Sequence, residues 1–123
     1  MQVLVITPTK LRAFVMKTLQ YLGETPNDVA KRLKEGGFRG IRLHTEECPV
    51  ARYLRARLEE ALEIDASVSV TDREIEVSLL AANYDRIGAS ISPIPKGVQD
   101  FVLAFDRGAY PELVEEDDHS APA

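Results

Sequence analysis

Apolar residues recur along the chain with two periods, and the points where the period changes divide it into elements. Leu11, Phe14, Val15, Leu19 and Leu22 fall at i, i+3, i+4, i+8 and i+11 between Thr7-Pro8 and Gly23. That spacing predicts a one-faced helix with a threonine cap, a proline in its first turn and a glycine stop. Thr25-Pro26 repeats the start signal, and Val29, Ala30 and Leu33 predict a second helix ending at Gly36-Gly37. A third begins at Cys48-Pro49, with Val50, Tyr53, Leu54, Leu58, Ala61 and Leu62 on one face and Arg52, Arg55, Glu59 and Glu63 on the other. On that outer face Arg55 and Glu59 are spaced for an i,i+4 ion pair.

The period then drops to two. Ser67 to Thr71 and Glu74 to Leu80 alternate apolar with polar residues across Asp72-Arg73, which predicts a hairpin with Val68, Val70, Ile75, Val77 and Leu79 facing the core. Residues 81–86 read as a connection, and Ile87 to Ser92 as a third strand ended by Pro93 and Pro95. Val98, Phe101, Val102 and Phe105 predict a fourth helix closed by Gly108, with Tyr110 and Leu113 folding back as an anchor. Residues 38–47 lack a helical period and read as a loop with a brief extended piece. Met1 to Ile6 is β-prone and is a candidate fourth strand.

The expected fold is therefore α+β: about four helices on a small antiparallel sheet of three strands, with a fourth drawn from the N-terminus. Residues 1–113 are expected to form one domain, and residues 114–123, acidic and poor in apolar side chains, a disordered tail. With 123 residues, 45% hydrophobic and 28% charged, the composition is that of an ordinary globular domain rather than a fibrous or disordered chain. No run approaches a membrane span or a signal-peptide core. The single cysteine rules out an intrachain disulfide, so a cytoplasmic setting is expected.

Net charge is −5, but the two halves differ: residues 1–57 hold 11 Lys/Arg against 5 Asp/Glu, and residues 58–123 hold 4 against 15. A basic half of this kind suits an anionic partner, and a solvated charged surface produces the same count.

Candidate chemistry is sparse. Cys48 stands at a helix start with Arg52 one turn inside, where dipole and charge favour a thiolate, and His44 is the base that would have to serve it. His44, Cys48 and Glu46 or Glu47 lack the paired spacing of a zinc site, so no metal ligands are assigned. Glu46-Glu47, Glu59-Glu60 and Glu115 to Asp118 read as solvated acids. Gly36-Gly37 and Gly40 follow a helix instead of leading from a strand into one, so no phosphate-cradling loop is present. No catalytic residues and no cofactor are assigned.

Helix, helix, helix, hairpin over residues 8–80 resembles the element order of winged helix-turn-helix DNA-binding domains. Thr25-Pro26-Asn27-Asp28-Val29-Ala30-Lys31-Arg32-Leu33 is similar to their second helix. The resemblance implies that Pro49 to Leu62 is a recognition helix presenting Arg52 and Arg55, and that Asp72-Arg73 tips the wing. Arg39, Arg42, Arg52, Arg55 and Arg73 are then the candidate contacts to duplex DNA. Three features depart from that family: the link from Gly36 to Cys48 exceeds its short turn, Glu59 and Glu63 share the arginine face, and the wing tip carries one basic residue.

Gly40-Ile41-Arg42, Cys48-Pro49-Val50-Ala51-Arg52-Tyr53-Leu54, Phe101 to Asp106 and Tyr110-Pro111-Glu112-Leu113 resemble short uncharacterised proteins of actinobacteria and their phages. That likeness implies a stand-alone cytoplasmic domain from about residue 8 to 113, with no catalytic residues to carry over. The leading expectation is a small non-enzymatic binding or regulatory protein whose partner is a protein or duplex DNA. The open edge of a three-stranded sheet is in addition a candidate homodimer seam.

Overall fold

In the computed structural model, which describes residues 7–80 and 86–115, three helices precede a three-stranded sheet and a fourth follows it. The expected N-terminal strand in residues 1–6, most of the connection at 81–85 and residues 116–123 of the expected tail lie outside the described residues, while Val114 and Glu115 of that tail are held against Gly40. Helix α1 spans Pro8–Tyr21, α2 Pro26–Glu35 and α3 Pro49–Leu62; strands β1, β2 and β3 span Asp65–Val70, Glu74–Leu80 and Arg86–Pro93; α4 spans Lys96–Asp106, and a single 3-10 turn covers Pro111–Leu113.

The first three helices start alike. Thr7 Oγ1 accepts from the Lys10 amide at 3.2 Å, Thr25 Oγ1 from Asp28 at 3.1 Å and Cys48 Sγ from Ala51 at 3.4 Å, each just before a proline. Each cap satisfies one of the four amides that a helix start leaves without a partner. The proline costs nothing there, because its missing N–H belongs to that same set.

The strands follow a simple antiparallel order, β1-β2-β3. Val68 pairs with Val77 and Val70 with Ile75, and a two-residue loop at Asp72-Arg73 is closed by the Thr71 amide donating to Glu74 O at 3.0 Å. Directly opposed residues share a face, so Ala66, Val68, Val70, Ile75, Val77 and Leu79 all point into the core. The same logic turns Ser90 and Ser92 inward, opposite Val77 and Ile75, and leaves Ile91 outward and 58% exposed. Both serines are small and satisfy each other, their Oγ atoms 3.3 Å apart, and α1 packs over this strand.

Helix α3 lies against β1 and α1 against β3, while α2 packs chiefly on α4. Leu11, Val15, Leu19, Leu33, Leu54, Leu58, Phe101 and Phe105 fill the space between them. Full burial of each such side chain contributes roughly 1.5–3 kcal/mol. Gly97 lets α4 start against the α1–α2 corner: a Cβ there would come within 2.6 Å of the Glu24 carbonyl carbon and oxygen. The Tyr110 ring packs tilted against Phe101 and its hydroxyl donates to Asn27 Oδ1 at 2.8 Å, and Leu113 is buried, so the chain after α4 is anchored back on α2.

Three details of α3 differ from the helical pattern. Ala61 is exposed and Leu62 only half-buried, because Glu63 takes a left-handed conformation (φ 52°) and the chain reverses into β1, where Ile64 packs against the core. The expected Arg55–Glu59 pair is not formed. Glu59 Oε2 accepts instead from the Ala66 amide at 3.1 Å, tying helix to strand, and the surface pair is Arg57–Glu60 at 3.5 Å. No described helix is long and apolar enough to cross a membrane.

Candidate functional site

Of the five arginines marked as DNA contacts, three converge where the loop before α3 meets the end of the described chain. Gly40 pairs with this segment in a short parallel bridge: its amide donates to Leu113 O at 2.9 Å and its carbonyl accepts from Glu115 at 2.7 Å. Glycine is required here, since a Cβ would lie 2.5 Å from Glu47 O and Pro49 N. Arg39 on one side donates to Val114 O at 2.7 Å. Arg42 on the other donates through Nε and Nη2 to Asp106 O at 3.1 and 2.6 Å, while Asp106 Oδ1 accepts from the Leu43 amide at 2.9 Å.

Arg52 completes the clamp. Its Nε and Nη2 hold Glu47 Oε2 at 3.1 and 2.9 Å, and Nη1 reaches Glu115 Oε2 at 2.6 Å and Arg39 O at 3.2 Å. Burial works against the Arg52 charge, but the hydrogen bonds from Glu115 and Glu47 outweigh it and raise its pKa. A hollow of about 600 Å³ lies beside the clamp, lined by Arg39, Arg42, Gly108, Pro111, Val114 and Glu115. Arg55 and Arg73 stand apart from this group, Arg55 half-buried on α3 and Arg73 exposed at the hairpin tip.

Cys48 and His44 do line one hollow, of about 250 Å³, with Asp72 and Asp106 among its other walls. The thiol is nonetheless kept protonated. Burial pushes it up to about 11 and the Asp106 charge adds to that, against the smaller pull of the Ala51 and Val50 amides. Arg52 does not help the thiolate, its guanidinium being engaged by Glu47 and Glu115. His44 is exposed, and among the described residues no hydrogen bond joins it to Cys48. No group of three His, Cys, Asp or Glu among the described residues is arranged to hold a metal ion.

A second surface gathers side chains that the periodic reading left unassigned. Tyr21, on the last turn of α1, is 62% exposed, and the Arg32 guanidinium of α2 lies 4.4 Å above its ring centre. Tyr53 of α3 is buried, meets the Phe38 ring edge-to-face at 5.2 Å, and has Arg57 at 5.7 Å from its ring centre. The Tyr53 hydroxyl is raised by burial first, while Arg57 and Arg32 lower it and Tyr21 raises it, so these four side chains share one electrostatic neighbourhood. Tyr53 and Arg57 are i,i+4 on one helix and could have been paired from the sequence. Nothing in the spacing links Tyr21 and Arg32 to them, because three separate helices must pack before the group exists.

Comparison with known proteins adds no further restraint: no family model, curated protein or solved structure matches the chain.

Proposed function

We propose that this chain is a small non-enzymatic binding or regulatory protein acting in the cytoplasm. The observation that carries this reading is the state of its only thiol. Cys48 is buried, 4% exposed, and burial pushes its thiol up to about 11, which disfavours the thiolate at neutral pH. Cys48 also accepts the Ala51 amide as a helix cap, a structural role that accounts for its position. The exposed tyrosine with an arginine on its face supports the other half of the reading, since Tyr and Arg are the residue types that dominate binding energy at interfaces. The test is alkylation of the native protein by iodoacetamide at neutral pH, compared with the urea-unfolded chain. Protection by at least about a hundredfold in the native state is expected; labelling at the rate of an unfolded cysteine would return the enzyme reading.

Duplex DNA binding is the second reading, favoured by the order of α1, α2, α3 and the hairpin and by the exposed Arg73. Under it Arg55 and Arg73 contact phosphates, while Arg39, Arg42 and Arg52 are engaged by oxygens of their own chain. Arg55→Ala plus Arg73→Ala would then weaken duplex binding and reduce its salt dependence. A wild-type protein that ignores duplex DNA at low salt rejects it.

A further inference from the structure

We infer that the outer face of the three-stranded sheet is a docking surface for helix α1 of a second copy of this chain, so that copies add head to tail. The inference rests on the binding-protein reading above and names the partner.

Residues opposed across the strands share a face, and the outward rows are Ser69-Glu76-Ile91 and Ser67-Ser78-Ala89, followed by Asp65 opposite Leu80. The helices that touch the sheet, α3 on β1 and α1 on β3, bury its other face, while Asp65, Glu74, Glu76 and Ile91 are exposed. A sheet with helices on one side has its second side open to a further layer.

The two surfaces carry opposite charge. Glu74 and Glu76 stand at one end of the outward face, and at the other Asp65 and Leu80 run into a hollow of about 320 Å³ that they share with Glu59 and Glu63. Counting Arg12 beside Ile91, Arg73 at the hairpin tip and Arg86 in β3 against these five acids still leaves the face acidic. Helix α1 has no acidic residue. Its Lys10 and Lys17 are exposed, and none of the ion pairs among the described residues uses them.

Shape repeats the match. Lys10, Ala13 and Lys17 share the side of α1 that points away from Leu11, Val15 and Leu19, and the two lysines are about 10 Å apart along the axis. On β2, Glu76 and the position opposite Asp65 are about 13 Å apart with Ser78 between them. Each surface is thus small in the middle and charged at both ends. Laid along the strands, α1 sets Ala13 on the Ser67-Ser78-Ala89 row and brings a lysine to each acidic end. Because α1 turns its inner side to its own core over β3, the helix surface and the sheet surface of one copy face away from each other. Such a contact is heterologous: each copy gives its helix to one neighbour and its sheet to another, and assembly does not end at two.

The test is sedimentation velocity of the full chain at low ionic strength over a range of concentrations. Wild type is expected to pass beyond the mass of a dimer as concentration rises, and to return to monomer in about 1 M salt, where charges are screened beyond about 3 Å. Glu74→Gln plus Glu76→Gln disables the sheet surface, and Lys10→Gln plus Lys17→Gln the helix surface; each pair is expected to weaken assembly by at least about tenfold. An equimolar mixture of the two double variants is expected to form a one-to-one dimer and nothing larger, since one intact helix then meets one intact sheet. Glu112→Gln, outside both surfaces, should assemble like wild type. Melting curves of all variants should match wild type, since the replaced side chains are exposed. The inference is overturned if wild type stays monomeric at every concentration, if assembly survives high salt, or if it stops at a dimer, which would assign the contact to a two-fold seam such as the sheet edge. It is also overturned if either double variant assembles like wild type or if their mixture stays monomeric. Each failure leaves the protected Cys48 thiol untouched, so it is separable from failure of the binding-protein reading.

Discussion

The basic half of this chain holds two sets of arginines with opposite fates. Arg39, Arg42 and Arg52 turn their N–H groups onto oxygens of their own chain, at Val114, Asp106, Glu47 and Glu115. Arg32 and Arg57 stand over the rings of Tyr21 and Tyr53, 4.4 and 5.7 Å from the ring centres, and are exposed. Equal charges in the sequence thus become internal staples in one place and exposed donors in the other. A count of basic residues says how much positive charge a surface could carry, and the partners of each guanidinium say how much is left for another molecule.

This contrast predicts that damage at the clamp is read as lost stability, while loss of Arg32 or Arg57 leaves stability nearly unchanged. The largest loss is expected for Gly40→Ala, whose new Cβ would meet Glu47 O and Pro49 N at 2.5 Å and Cys48 C at 2.6 Å. These are backbone atoms that cannot swing aside, and a destabilisation of about 3 kcal/mol in urea unfolding is expected. A value within about 0.5 kcal/mol of wild type would show that the close approach is not kept in solution.

Next is the pH response of Cys48. Its folded pKa, about 11, lies above its ordinary value of 9.0, so the folded state retains a proton that the unfolded state gives up. Stability from this group is complete below about pH 9 and falls as pH rises toward about 11, by on the order of 2 kcal/mol. The wild-type curve should therefore drop more steeply across that window than the curve of Cys48→Ala, and parallel curves would contradict the burial of the thiol.

Arg52→Ala is expected to cost about 1–2 kcal/mol. It removes the bonds to Glu47 and Glu115 from a side chain that is itself only 20% exposed. Because Arg52 ties Glu115 to α3, the variant should also speed amide exchange at Glu115 and Gly40, whose amides are bonded to Gly40 O and Leu113 O. The smallest change in stability, under about 0.5 kcal/mol, is expected for Arg32→Gln and Arg57→Gln. A cost equal to that of Arg52→Ala would erase the distinction between the two sets.

Several elements were legible from local grammar. Thr7-Pro8, Thr25-Pro26 and Cys48-Pro49 each open a helix where the cap and proline rules put one, and the alternation around Asp72-Arg73 folds as a hairpin with the expected five side chains inside. The candidate site was legible only as a list of arginines. Helical period places Arg52 opposite Val50, Tyr53 and Leu54, which is outward for a helix considered alone. In the folded chain that side is roofed by the loop carrying Arg39 and by the stretch that includes Glu115, both remote in sequence. Ala61 misled in the other direction, because a methyl group contributes little to an apolar stripe and the left-handed Glu63 ends the helix just beyond it.

What the amino-acid order determined by itself was the set of helices, the hairpin and their inner faces, since caps, prolines, glycine stops and periodicity act over a few residues. Tertiary packing alone decided which arginines are clamps and which remain available, and whether the cysteine ionises. Those outcomes depend on burial and on partners brought from far along the chain, and a guanidinium or a thiol has no fixed role until its surroundings are assembled.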